Sequence, residues 1–206
     1  RSLVGSEMCI RDRDRCIILL IDKSSIPPKM RQRAGECIIM NNQEKNSYVR
    51  SQILKALLEM MRVDNFDSIT ISCLTTKAEV GRASFYRNYQ TKEDVLRQEA
   101  ERLNNELNNI RRNDDPTDYR LKLLRTLDFY KANSDFYMTV YNAGHTQIIQ
   151  DSIIDKKSLS DEMPAPIAYV MSAFSYLIYG WIIEWLRRGM KETSAELIDM
   201  FENSQK

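Results

Sequence analysis

Glycine and proline are scarce in this sequence: 6 Gly and 5 Pro in 206 residues. All-β folds and doubly wound sheets need more turn glycines than that, so the composition favours an all-α protein. The four cysteines, Cys9, Cys16, Cys37 and Cys73, include no Cys-x-x-Cys pair, and the chain has one histidine, His145. Neither a zinc site nor a disulfide framework is indicated, no other metal or cofactor motif is present, and a reducing cytoplasm is the expected compartment. Charge of one sign is lacking too, with 30 basic residues against 29 acidic. A net charge of +1 supplies no general attraction to polyanions, so any such partner needs a local patch. The early apolar run Cys16 to Ile21 is far shorter than the roughly 18 residues of a membrane span, and no membrane partner is expected. No Gly-rich phosphate loop, Gly-x-Ser-x-Gly elbow or His-Glu-x-x-His occurs, and nothing pairs a nucleophile with a base, so the chain is not expected to be an enzyme.

Residues 1–39 differ from the rest. They carry an isolated apolar patch, Pro27-Pro28 and no sustained helical or strand period. The opening Arg1 to Arg13 resembles a string obtained when sequencing-adaptor DNA is translated. A disordered or non-native leader is therefore expected, with Met40 as the start of the folded chain; the alternative is a genuine basic arm, Lys29 to Arg33.

From Asn42 to Asp115 there is no proline and a single glycine. Val49, Ile53, Leu57, Met60 and Met61 recur at helical spacing and predict a helix over about 47–63. Thr70 is placed to cap a short helix over 71–78, and a second short helix follows over 82–89, with Phe85 and Tyr89 on one face. Thr91-x-x-Asp94 has the form of a capping box and starts a long helix to about Arg112. Short helix, tight turn, short helix is a helix-turn-helix pattern. Between Lys77 and Lys92 lie Lys77, Arg82, Arg87 and Lys92 against Glu79, a local balance of 4 − 1 = +3.

The stretch Ile69 to Leu96, with Phe85-Tyr86, then Tyr89, then Lys92-Glu93 and Leu96, resembles the DNA-binding segment of the TetR (tetracycline-repressor-like) family of bacterial transcription regulators. The resemblance covers about residues 48–96. It implies an all-α protein with a three-helix helix-turn-helix domain over 40–92, followed by a helical effector-binding and dimerisation domain over 93–206. It further implies DNA contacts from Thr70, Ser72, Arg82, Ala83, Ser84, Tyr86, Arg87, Asn88 and Lys92, with Tyr86, Asn88 and Lys92 on phosphates. The function it implies is a ligand-responsive repressor that binds a palindromic operator as a homodimer. Two positions depart from the family pattern: Glu79 replaces the usual turn glycine, and Gly81 replaces a serine cap. They leave room for an alternative, a dimeric interaction protein of the same fold with weakened or lost DNA binding.

In the second half, helices are expected over 116–132, 134–143, 145–157 and 166–188, the last closed by Gly189, and a capping box at Thr193-x-x-Glu196 starts a final one. The 166–188 helix carries apolar residues almost all round, so it needs two neighbours. Its pairing with a second copy about a twofold axis would use Phe174, Ile178, Trp181, Trp185 and Phe201; the alternative is that this stripe is intrachain core. Tyr137, Tyr141, His145 and Tyr176 are candidates to line a small-molecule effector pocket, against the alternative of core aromatics with satisfied polar tips.

Overall fold

Polar side chains at Asn41, Thr70, Thr91, Asp118 and Thr193 cap helix starts, and left-handed backbone at Glu79, Gly144 and Gly189 follows helix ends. The computed structural model describes residues 7–12, 15–20, 41–112, 114–115, 117–154 and 163–203. From Asn42 every helix in it is α apart from one 3-10 turn: α1 Asn42–Met61, the turn Phe66–Ser68, α2 Ile71–Lys77, α3 Arg82–Asn88, α4 Lys92–Arg111, α5 Tyr119–Ala132, α6 Ser134–Asn142, α7 Thr146–Ile153, α8 Ala165–Arg187 and α9 Ser194–Asn203. The fold is all-α over this span.

Ahead of it, β1 Glu7–Asp12 and β2 Arg15–Leu20 pair antiparallel, Glu7 opposite Leu20 and Asp12 opposite Arg15. The sequence signals no strand here because Ile17 to Leu20 is a continuous apolar run, without the alternation that marks a half-buried strand. The other leader residues, the arm Lys29–Arg33 among them, lie outside the described residues. The chain divides into two units, Arg1–Arg50 and Ser51–Lys206.

Both expected capping boxes form. The Thr91 hydroxyl accepts from Asp94 N–H while the Asp94 carboxylate accepts from Thr91 N–H. Thr193 and Glu196 do the same for α9. A third box, Asn41 with Glu44, starts α1 five residues before the hydrophobic period indicates, because caps act on backbone groups whether or not an apolar face has begun. The α5 helix starts at Tyr119, not Pro116, since Asp118 caps it by accepting from Leu121 N–H. The α7 helix stops at Ile153, four residues short of expectation.

Within Ser51–Lys206, α2 packs on α3, α4 on α5 and α7, α5 on α6 and α9, and α8 on α6 and α7. Leu103, Leu127, Tyr137, Val140, Ile149, Ile182, Trp185, Leu186 and Ile198 are buried in these contacts. Arg120 of α5 bonds Asp199 (2.8 Å) and Glu202 of α9; all three are half-exposed, so these pairs orient the last helix more than they stabilise it.

Candidate nucleic-acid interface

The turn between α2 and α3 is closed by two backbone bonds, Glu79 N–H to Thr76 O (3.2 Å) and Val80 N–H to Thr75 O (3.0 Å). This double bond pattern requires a left-handed residue after the helix, and Glu79 supplies it at φ 54°. Gly81 then caps α3 with no side-chain hydrogen bond. Both departures from the family pattern thus act as the sequence suggests: the turn forms, at a cost of about 1–2 kcal/mol at Glu79.

One face of α3 is core. Phe85 is fully buried and Tyr89 nearly so, their ring centroids 5.7 Å apart. The opposite face is open, with Arg82, Ala83 and Arg87 exposed and Tyr86 51% accessible. Ser84 is half-buried. The Asn88 amide turns back and donates to Ser84 O (2.9 Å), which occupies the group expected to reach a phosphate. Thr70 caps α2 by accepting from Cys73 N–H (3.2 Å), and exposed Ser72 accepts the Thr75 and Thr76 hydroxyls at its carbonyl.

Lys92 departs furthest from expectation. Its ammonium turns inward, donates to the carbonyls of Phe66 and Ile69 (3.0 Å to Ile69), and lies 4.4 Å from the centre of the Phe66 ring. The Phe66 carbonyl also accepts from Ile69 N–H (3.1 Å), so the ammonium adds a second donor there and bonds the Ile69 carbonyl just after the 3-10 turn. Lys77 pairs with Glu59 of α1 at 3.2 Å. The local charge of +3 therefore presents itself outward mainly as Arg82 and Arg87.

The four aromatic candidates for an effector pocket are not brought together. Tyr137 is 1% exposed and shares a hydrogen bond with buried Tyr130, ring centroids 4.6 Å apart. Burial pushes both phenols well above the usual tyrosine range. Tyr141 is half-buried, His145 meets Phe66 edge-on, and Tyr176 is 52% exposed on α8. Two open cavities, each about 300 Å³, are lined by other residues. One lies between α4 and α7 beside Arg97, Glu101, Asn104 and Asp151, and the other between α8 and α9 beside Trp181, Trp185, Leu197 and Phe201.

Of the residues expected at a twofold interface, Ile178 and Trp185 lie inside the protomer's own core. Trp181 and Phe201 are half-buried against each other, centroids 4.8 Å apart. Phe174 is exposed, together with Ile167, Val170, Met171 and Leu177 on the N-terminal half of α8. Residues 165–187 are long and apolar enough to cross a membrane, at a mean hydropathy of 1.4.

Residues 118–206 match the TetR_C_8 family model, Transcriptional regulator C-terminal region. No curated protein matches the sequence. Among solved structures, Lin0861 from Listeria innocua is similar at a TM-score of 0.65 and 15% identity, covering 82% of this chain and 94% of that one. The dihydroxyacetone kinase operon activator DhaS is similar at 0.49 and 20%, covering 75% and 92%. A TetR-family transcriptional regulator from Streptomyces coelicolor is similar at 0.47 and 19%, covering 77% of each. The likeness to transcriptional regulators thus rests on the C-terminal region, residues 118–206.

Proposed function

We propose that this chain is a TetR-family transcriptional regulator that binds a near-palindromic DNA site as a homodimer in the bacterial cytoplasm and acts as a ligand-responsive repressor. The observation that carries the reading is the two-sided α3: Phe85 and Tyr89 lock one face into the core while Arg82, Ala83, Tyr86 and Arg87 stand in solvent on the other. That division is what a helix entering the major groove needs, with forked or small side chains toward base edges and phosphates and a rigid backing. A second copy supports the twofold, since the free apolar half of α8 is a surface that a soluble monomer rarely leaves open. Control by a small molecule belongs to the same reading: a ligand that competes for the Tyr130 and Tyr137 hydroxyls would loosen α5 against α6, and Tyr141, His145 and Tyr176 stand on the elements that would move.

Selection of bound fragments from random duplex DNA tests this. Enrichment of one near-palindrome is expected; no enrichment, with binding indifferent to salt, rejects it. Glu79 at φ 54° and the inward Lys92 favour one rival, a dimeric interaction protein of this fold without DNA binding. It predicts the second outcome.

A further inference from the structure

Phe66, in the 3-10 turn joining α1 to α2, is 3% exposed and is gripped from two sides by distant parts of the chain. From the first turn of α4, the Lys92 ammonium sits over its ring and bonds its carbonyl. From beyond α6, the His145 ring meets it edge-on, centroids 4.2 Å apart at 65°. Backbone geometry fixes where His145 stands. Gly144, at φ +81°, ends α6 in a left-handed turn, closed by Gly144 N–H to Tyr141 O (2.9 Å) and His145 N–H to Val140 O (3.1 Å). The other end of α6 reaches the same connection, because Asp135 pairs with Arg62 just after α1. Both ends of α6 therefore hold the stretch between α1 and α2.

That stretch determines where the reading helix goes. Ile69 is buried, Thr70 begins α2, and α2 packs on α3. We infer that His145 is a positioning residue for α3: through Phe66, the turn between α6 and α7 fixes the orientation of the DNA-reading unit without touching DNA. The same contact makes the α6–α7 turn an input, since any displacement of His145 moves Phe66 and with it the start of α2. The inference rests on the DNA-binding reading.

The test compares operator DNA, obtained by the selection above, with random duplex for the intact chain and four variants. His145→Ala is expected to weaken operator binding about tenfold, the scale of a typical coupling between sites. Random-duplex binding should stay close to unchanged, because the exposed arginines remain while the two heads of a dimer lose their register. His145→Phe keeps an aromatic edge against Phe66 and should restore operator affinity. Phe66→Leu should reproduce the loss, and adding His145→Ala to it should cost nothing more. Operator binding unaffected by His145→Ala, no rescue by Phe, or equal losses on both DNAs with a lowered melting temperature would each overturn the inference. A wild-type chain that binds neither DNA would overturn the DNA-binding reading, and the inference with it.

Discussion

Glu79 carries a side chain through a turn that suits glycine. At φ 54° it completes the same double-bonded helix ending that Gly144 and Gly189 complete for α6 and α8 at φ 81° and 79°. Glu79→Gly removes a left-handed penalty of about 1–2 kcal/mol and adds unfolded-state freedom of about 0.5–1 kcal/mol. A net gain of about 0.5–1 kcal/mol is expected, measured as a rise in denaturation midpoint with an unchanged denaturant slope; a lower midpoint would show that the glutamate side chain has a stabilising contact of its own. The buried Tyr130–Tyr137 pair gives a second prediction at this scale. Both phenols have raised pKa values in the folded state, mainly through burial. Their contribution to stability is therefore complete below the ordinary tyrosine value near 10 and is lost as pH rises beyond it. Ionisation of these two groups should coincide with loss of helical circular dichroism in alkali. Phenolate absorbance that develops fully while the helix signal persists would contradict it.

At the scale of elements, α3 and the start of α4 look alike in charge and differ in use. Arg87 is exposed on α3, so Arg87→Ala should reduce the salt dependence of DNA binding by about one ion per protomer. Lys92→Ala should leave that slope unchanged and lower stability, by about 1–3 kcal/mol for two carbonyls that lose a charged donor. If instead the Lys92 variant loses salt dependence and melts normally, its ammonium leaves the turn to meet a phosphate. The contrast shows what the sequence reveals. The Thr91–Asp94 and Thr193–Glu196 boxes, the Glu79 turn and the inward pair Phe85 and Tyr89 are local patterns, each complete within five residues, and all were legible. Lys92 is directed by carbonyls 23 and 26 residues earlier in the chain, and Asn88 by an unremarkable helix carbonyl. Neither partner leaves any trace in residue type. The effector candidates were chosen as aromatics of the second half of the chain, and composition does not say which aromatics face one another; Tyr137 meets Tyr130, and His145 meets Phe66.

For the whole molecule, the decisive element is α8, whose two halves meet different environments. Ile178, Ile182, Trp185 and Leu186 are buried by α6, α7 and their neighbours, and Lys131 lies over the Trp185 ring. Ile167, Val170, Met171, Phe174 and Leu177 have no such cover among the described residues. One apolar period therefore serves two purposes, which is why periodicity alone assigned Trp185 and Phe174 to the same interface. The halves should respond differently to substitution. Trp185→Ala empties a core site and should cost about 3–5 kcal/mol, seen as a large fall in the denaturation midpoint. Val170→Glu combined with Phe174→Glu places charges on the uncovered face and should leave the helices folded while halving the mass measured by sedimentation equilibrium. A second copy is the expected cover because the same helix continues into the packed core, with Glu184, Arg187 and Arg188 paired at its end. Wild-type protein that sediments as a monomer and partitions into lipid vesicles would assign the face to a membrane instead. A double variant that keeps the dimeric mass would place the twofold axis elsewhere on the chain.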